Sequence, residues 1–331
     1  MGDIDVVVTG AGGFIGGHLT RALLGEGRSV RAVDIKPLQD WYQVHDRAEN
    51  VVGDVSRRDT CAEVLDGGAD EVYHLAADMG GMGFIENNKA ACMLSVLSST
   101  HMLLAARDAG ARRYFYASSA CVYAAYKQTD ADVLPLREED AYPAMPEDGY
   151  GWEKLFSEHM GRHFREDYGL ATRAGRYHNV YGPHGTWTGG REKAPAAACR
   201  KVALAVLTGG DEVEIWGDGE QTRSFTFIDD CVEGTLRLTR SDVTDPLNIG
   251  SDQLVSVNQL YAIVEEIAGV RLRHRHVPGP LGVRGRNSDN TRIRKELGWA
   301  PETSLMDGLE ATYRWVYDQA KAQLDGRPVT C

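Results

Sequence analysis

The 331-residue chain lacks the marks of several protein classes. Its six cysteines, Cys61, Cys92, Cys121, Cys199, Cys231 and Cys331, stand singly. With no CxxC pair and no histidine cluster at zinc spacing, neither a disulfide framework nor a metal site is expected. No apolar run approaches the ~18 residues of a membrane span. The start, Met1-Gly2-Asp3-Ile4-Asp5, is acidic and has neither the basic stretch nor the apolar core of a secretory signal. A soluble, cytoplasmic protein is therefore expected. Basic charge is in deficit, 36 Lys and Arg against 48 Asp and Glu, for a formal net charge of −12. That argues against general affinity for nucleic acid or an anionic membrane surface. Low-complexity segments and internal repeats are missing too. A chain with 43% hydrophobic and 25% charged residues is ordinary for a globular fold.

What the sequence does contain is an alternation of short β-rich runs and helical patterns. Ile4–Thr9, Ser29–Asp34, Glu71–Ala76 and Arg113–Ala117 read as strands. Phe14–Leu24 and Ala90–Ala109 read as helices. Such alternation with short links predicts an α/β fold with a doubly wound parallel sheet, Rossmann in type. After Tyr177 glycine and proline become dense, and a smaller mixed α/β lobe is expected there. Pro246–Gly250 reads as a buried strand returning to the main sheet. The division is then 1–177, joined by 229–251, as the dinucleotide-binding domain, with 178–228 and 252–331 as the substrate lobe.

Between the first strand and the first helix stand Gly10, Gly13 and Gly16. Glycines at this spacing permit a tight turn, close approach of a pyrophosphate to the backbone, and close helix–strand packing. The helix start, with Phe14 and Ile15, supplies amide donors and the positive end of the helix dipole. Asp34 ends the second strand, where a carboxylate accepts hydrogen bonds from ribose hydroxyls and repels a 2′-phosphate. NAD is thus expected in preference to NADP. Asp54 follows the next strand and either reaches the adenine or is an ordinary loop residue. Leu75 and Ala76, at the exit of the Glu71–Ala76 strand, complete the expected cofactor contacts.

A tyrosine four residues before a lysine places both on one helix face, and the cation favours the phenolate. The pattern occurs three times, at Tyr123/Lys127, Tyr150/Lys154 and Tyr317/Lys321. Only Tyr150/Lys154 opens a long amphipathic helix (Tyr150–Phe164) following a strand that ends in Ser118-Ser119. Ser119 can share a hydrogen bond with the tyrosine and a substrate, so Tyr150 is the expected base. On the residues alone, Cys121 reads as a small buried hydrophobe and Lys193 as a solvated loop lysine.

These segments resemble the extended short-chain dehydrogenase/reductases that act on nucleotide sugars, and among them the GDP-mannose 3,5-epimerases. The likeness runs from Val6 to Trp315. It is carried by Leu75–Phe84, Tyr116–Tyr123, Gly185–Trp187 with Gly189–Pro195, Trp216–Gly219 with Gln221–Phe227, and Val283–Asn290. The resemblance implies hydride transfer at C4 of a hexose by Tyr150 and Lys154. It implies proton transfer at the neighbouring carbons by Cys121 and Lys193. Oxidation at C4 makes this sensible, because the ketone acidifies C3–H and C5–H. Related 4,6-dehydratases carry an acidic pair in place of Ala120-Cys121, and 4-epimerases tend to carry Thr at the cysteine position.

The resemblance further implies GDP-hexose contacts from Gly80, Ser119, Asn179, Lys193, Lys201, Gln221, Arg223 and Arg286, and a homodimer formed through a helical bundle. Ser95 departs from the family pattern, which has Asn there. The stretch Val202–Glu212 is longer than in the family and borders the expected nucleotide pocket.

Overall fold

The computed structural model describes residues 4–279 and 282–329; the start at 1–3, Pro280 of the Pro278-Gly279-Pro280 run, and Cys331 lie outside the described residues. The first half of the chain runs β1 (Val6–Thr9), α1 (Phe14–Gly25), β2 (Val30–Asp34), β3 (Glu49–Val52), α2 (Arg58–Val64), β4 (Glu71–His74), α3 (Met82–Asn87), α4 (Lys89–Asp108), β5 (Arg113–Ser119), α5 (Asp148–Tyr168) and β6 (Ala171–Tyr177). The second half runs β7 (Val180–Tyr181), α6 (Ala194–Thr208), β8 (Glu212–Trp216), β9 (Thr222–Ser224), β10 (Thr226–Phe227), α7 (Ile228–Arg240), β11 (Leu247–Ile249), β12 (Leu254–Ser256), α8 (Val257–Ala268), β13 (Arg273–Val277), β14 (Gly285–Arg286), α9 (Thr291–Leu297) and α10 (Leu305–Leu324).

Seven strands form one parallel sheet in the order β11-β6-β5-β4-β1-β2-β3. Val6, Val7 and Val8 are fully buried, as a strand covered on both faces requires. One face packs under α2, α4 and α5, through Cys61, Val64, Met102, Leu103 and Ala106. The other packs under α1 and α7, and its apolar core continues into α6, α8 and α10. Strand order reverses between β1 and β4, which opens a crevice at their carboxyl ends. The helix expected from Tyr150 starts two residues earlier and runs to Tyr168, ending at Gly169 in the left-handed region (φ 74°). The segment after Tyr177 holds three small sheets: β7 with β10, β12 with β9 and β14, and β8 with β13.

One expectation needs correction. α4 is long and apolar enough, by length and composition, to cross a membrane (mean hydropathy 1.3). Its three serines and one threonine interrupt the apolar run but weigh little in a hydropathy mean. Here it lies along α5, with Cys92, Ser95, Ser99 and Met102 buried.

Candidate active site

The glycine loop is built as close approach demands. Gly10 has φ +74°, and a Cβ there would lie 2.9 Å from the backbone of Leu75 and Ala76. A Cβ on Gly16 would stand 2.1 Å from the Gly10 carbonyl. Neither position admits a side chain, so the first turn of α1 sits directly on the β1 exit. Gly13 is the backbone N-cap of α1, with Phe14 and Ile15 in its first turn. This cradle fits a dinucleotide pyrophosphate.

A strap crosses the glycine loop. Lys36 Nζ donates to the Gly12 carbonyl (2.8 Å), and so does the Tyr42 amide (3.2 Å). A Cβ on Gly12 would lie 2.6 Å from the Trp41 ring. The Tyr42 hydroxyl meets Thr186 Oγ1 at 2.5 Å, tying the strap to the second lobe. Asp34 is buried at the end of β2, and its Oδ1 accepts the Lys36 amide (3.0 Å). Asp54 Oδ1 accepts the Ser56 amide (2.9 Å), a turn bond that satisfies the plain loop reading.

At the exit of β5, Ser119 Oγ accepts the Cys121 amide (3.2 Å) and lies close enough to the Tyr150 phenol to favour its ionised form. Tyr150 and Lys154 occupy the first turns of α5, 5 and 3% exposed. Lys154 Nζ lies 5.5 Å from the Tyr150 ring centroid and 4.8 Å from that of Tyr116. Burial, with Cys121 and Glu153 close by, holds the Tyr150 phenol well above its usual range. Proton abstraction therefore depends on charges that offset burial. Two glycines let α5 come this close. A Cβ on Gly151 would meet the Cys121 carbonyl at 2.3 Å, and one on Gly149 would meet that of Lys89 at 2.6 Å. The sequence reading used Tyr150 and Lys154 and passed over the glycines flanking the tyrosine.

Cys121 is buried against Ile85, Cys92 and Tyr150. Arg286 Nη1 donates to its Sγ at 3.8 Å, while Nε donates to Gln128 Oε1 at 2.7 Å. The same guanidinium pairs with Glu147, whose amide donates to the Cys121 carbonyl (2.9 Å). Lys193, at the start of α6, and Arg223, on β9, also lie within electrostatic reach of the thiol. Burial pushes the Lys193 ammonium below the usual lysine range, against the opposing pull of Cys121 and Cys231. It is not the solvated loop lysine its sequence surroundings suggest. Burial likewise lowers Arg223 to about 10. Its Nη1 donates to the Thr222 carbonyl (2.7 Å) and its Nη2 to that of Val283.

The remaining candidates form two further groups. Gly80 packs against Phe84, and the neighbouring Gly81 amide donates to the Arg191 carbonyl (3.1 Å), so the loop after β4 touches the loop before α6. Lys201 Nζ lies 5.7 Å from the Trp216 ring centroid and donates to the Glu214 carbonyl (2.7 Å). Gln221 Nε2 donates to the Trp216 carbonyl (3.2 Å), and its buried Oε1 has no partner among the described residues. Asn179, at φ +42°, donates to the Ser224 carbonyl (3.0 Å). Ser95 Oγ accepts the Asp78 amide (2.9 Å), which fixes the loop leading to Gly80. Val202–Glu212 forms the end of α6 and the turn into β8, the strand that carries Trp216.

The two rival tyrosine–lysine pairs lie elsewhere. Tyr123 is buried against Asn248 and Arg176, and Lys127 pairs with Asp140. Tyr317 and Lys321 sit on α10. Sequence reasoning missed Gln128, Glu147 and Glu153, each polar and joined to a candidate residue only through the fold.

Residues 6–250 match the model of the NAD dependent epimerase/dehydratase family. The chain is similar to GDP-mannose 3,5-epimerase 1 of Oryza sativa subsp. japonica, 50% identical over 97% of this chain and 83% of the relative. It is similar also to GDP-mannose 3,5-epimerase of Arabidopsis thaliana, 48% identical over 97% and 84%. Among solved structures, MoeE5 in complex with UDP-glucuronic acid and NAD superposes with TM-score 0.79 at 31% identity, covering 95% of this chain and 99% of that one. UDP-glucose 4-epimerase of Thermotoga maritima with UDP-glucose gives TM-score 0.85 at 26% identity, with the same coverage. A Rossmann sheet with its glycine cradle, a tyrosine–lysine pair at its carboxyl edge and these likenesses place the chain in the NAD-dependent epimerase/dehydratase family.

Proposed function

We propose that the chain converts GDP-mannose by inversion at C5 and at C3, to GDP-L-galactose and the C5-only product GDP-L-gulose, through a transient C4 ketone. What supports this reading is that Cys121 is buried against Tyr150 while the half-buried Lys193 lies within electrostatic reach of its thiol. A 4-epimerase needs no such pair. Bound NAD supplies the acceptor for the C4 hydrogen and later returns it.

Tyr150 takes the O4 proton, assisted by the Lys154 cation and held by Ser119. With the ketone formed, one member of the Cys121/Lys193 pair removes a proton from one face of the ring carbon. The other delivers a proton to the opposite face. The depressed Lys193 suits this role, because an amine displaced towards neutrality both gives and takes a proton readily. Arg286 beside Cys121 adds positive charge where the enolate forms. Arg223 lies close by, and Lys201 and Gln221 around Trp216 suit the nucleotide end of the substrate.

The test is incubation of purified protein with GDP-mannose in D2O, followed by NMR. Deuterium is expected at C5, with labelling at C3 equal or less. Deuterium at C3 alone, or at C6 with loss of water, overturns the reading in favour of a 3-epimerase or a 4,6-dehydratase.

A homodimer belongs to the same proposal. Met93, Leu94 and Leu97 of α4 and Trp152 and Phe156 of α5 are exposed on two helices that pack together, an apolar face suited to a second copy. Light scattering should give twice the chain mass, and Leu94→Glu with Trp152→Glu should halve it.

A further inference from the structure

Beneath the tyrosine–lysine pair lies a carboxylate with no contact to solvent. The Glu153 side chain is 0% exposed, and its Oε2 stands 3.5 Å from Lys154 Nζ. Oε1 accepts three hydroxyls, from Ser157 (2.9 Å), Tyr116 (3.0 Å) and Ser99 (3.2 Å). Oε2 has no hydrogen bond among the described residues, so the lysine ammonium is what it faces. Three donors on one oxygen fix this buried carboxylate in place beside the ammonium, as one half of an ion pair. Its position next to Lys154 in sequence conceals the pairing, since neighbouring residues on a helix point about 100° apart.

We infer that Glu153 is a positioning residue that sets the charge of the Tyr150–Lys154 couple, anchoring the ammonium and cancelling part of its pull on the phenol. This rests on the proposed role of Tyr150 as the base at O4. A lone buried ammonium would favour the phenolate strongly. The pair Lys154/Glu153 is neutral overall, so the phenol keeps its proton until bound substrate and cofactor add their own fields. Such a device suits a cycle in which Tyr150 must give the proton back to O4 at the end. A phenolate stabilised too far would strand the sugar as the ketone.

Other ionisable groups face this couple from every side. Cys121 and Cys92 approach Tyr150 from the turn after β5 and from α4. Tyr114 and Tyr116 of β5 approach Glu153. His74 of β4 faces Lys154 and is pushed down to about 3 by burial and by that lysine, so it stays uncharged near neutrality. Burial raises the two β5 tyrosines and Cys92, so they too stay uncharged there. Glu153 is thus the anion that offsets Lys154.

The experiment follows the Tyr150 phenolate in NAD-loaded protein by its ultraviolet tyrosinate band, assigned as the part lost in Tyr150→Phe, across a pH series. Transient NADH absorbance after mixing with GDP-mannose is recorded over the same series. A charge at this range moves a pKa by about 1–3 units. Glu153→Gln should therefore lower both midpoints by about one unit or more. Glu153→Asp, which keeps the charge, should leave the tyrosinate midpoint closer to wild type than Gln does. Should the Gln protein fail to fold, Ser99→Ala with Tyr116→Phe supplies the test. With two of its three anchors gone the carboxylate is no longer held against the ammonium, and the midpoint should fall in the same direction by less. An unchanged tyrosinate midpoint in the folded variants, with altered yield or amplitude alone, overturns the inference and leaves Glu153 a packing residue. Absence of Tyr150-dependent NADH in the wild type overturns instead the proposed function, while the tyrosinate midpoints still report on Glu153.

Discussion

Arg286 Nη1 points at Cys121 Sγ from 3.8 Å, across 165 positions of sequence. The guanidinium is held from behind by Gln128 and Glu147, so its aim at the thiol is fixed before any substrate arrives. Arg286→Lys keeps the charge but loses the planar fork that meets Gln128, Glu147 and the sulfur together. Deuterium incorporation should fall by about tenfold or more, the equivalent of one charge-assisted hydrogen bond, while transient NADH persists. Equal loss of both signals would place Arg286 in substrate binding alone.

Cys121→Ala and Lys193→Met should separate oxidation from inversion. Each removes one partner in proton transfer, a loss of about 10²–10⁴ in the epimerisation rate. Tyr150→Phe should remove the NADH signal as well, since no ring hydrogen is acidic before the ketone forms. The double variant Cys121→Ala/Lys193→Met should be little worse than either single one, as for residues acting in one step. Normal turnover by Cys121→Ala would return the thiol to the role of a packed core residue.

Asp34, buried at the end of β2, is proposed to set cofactor choice. Asp34→Ser removes the carboxylate that faces a 2′-phosphate and should weaken NAD binding by about tenfold, the worth of a charge-assisted bond, while NADP binding improves. Calorimetry on cofactor-stripped protein reads both. Wild-type protein that carried NADP on purification would contradict the assignment.

Stability should fall on mild acidification. Burial pushes His74 down to about 3 and His178 to about 4, and each takes up a proton only on unfolding through the range below about 6.5. The unfolded chain then binds more protons than the folded one, so stability is lost as pH falls from about 6.5 towards about 4. The slope is up to about 1.4 kcal/mol per pH unit for each histidine. Denaturant midpoints at pH 7 and pH 5 check this, with His178→Gln expected to show the shallower dependence. Identical slopes would exclude the histidine.

The parts of the site that were readable in the sequence are those built from local spacing. Gly10, Gly13 and Gly16 lie within one turn, and the strand and helix that flank them have plain periodicity. Tyr150 and Lys154 share a helix face, and the sequence context told them apart from Tyr123/Lys127 and Tyr317/Lys321. The surroundings of Cys121 and Lys193 were not readable by spacing, since their partners come from segments far apart in sequence that meet only in the fold. Glu153 was hidden for the opposite reason, being adjacent to Lys154 where adjacency argues against contact. The glycines at 149 and 151 carry no signal in the sequence, and only the close contacts with Lys89 and Cys121 give them a purpose.

The strap over the glycine loop bears on the life history of each molecule. It is fastened to Gly12 at one end and to Thr186 at the other, and if it closes over a bound dinucleotide, release would require both fastenings to part. A reaction that returns its cofactor to the starting oxidation state loses nothing by such slow exchange. Each molecule is then expected to keep the nucleotide it enclosed while folding. One that enclosed the reduced form begins life idle. Specific activity becomes a record of the oxidised fraction of the pool at the moment of folding, insensitive to what the pool does afterwards. Protein refolded in graded NAD/NADH mixtures, desalted and assayed, should retain that record for as long as the strap stays shut.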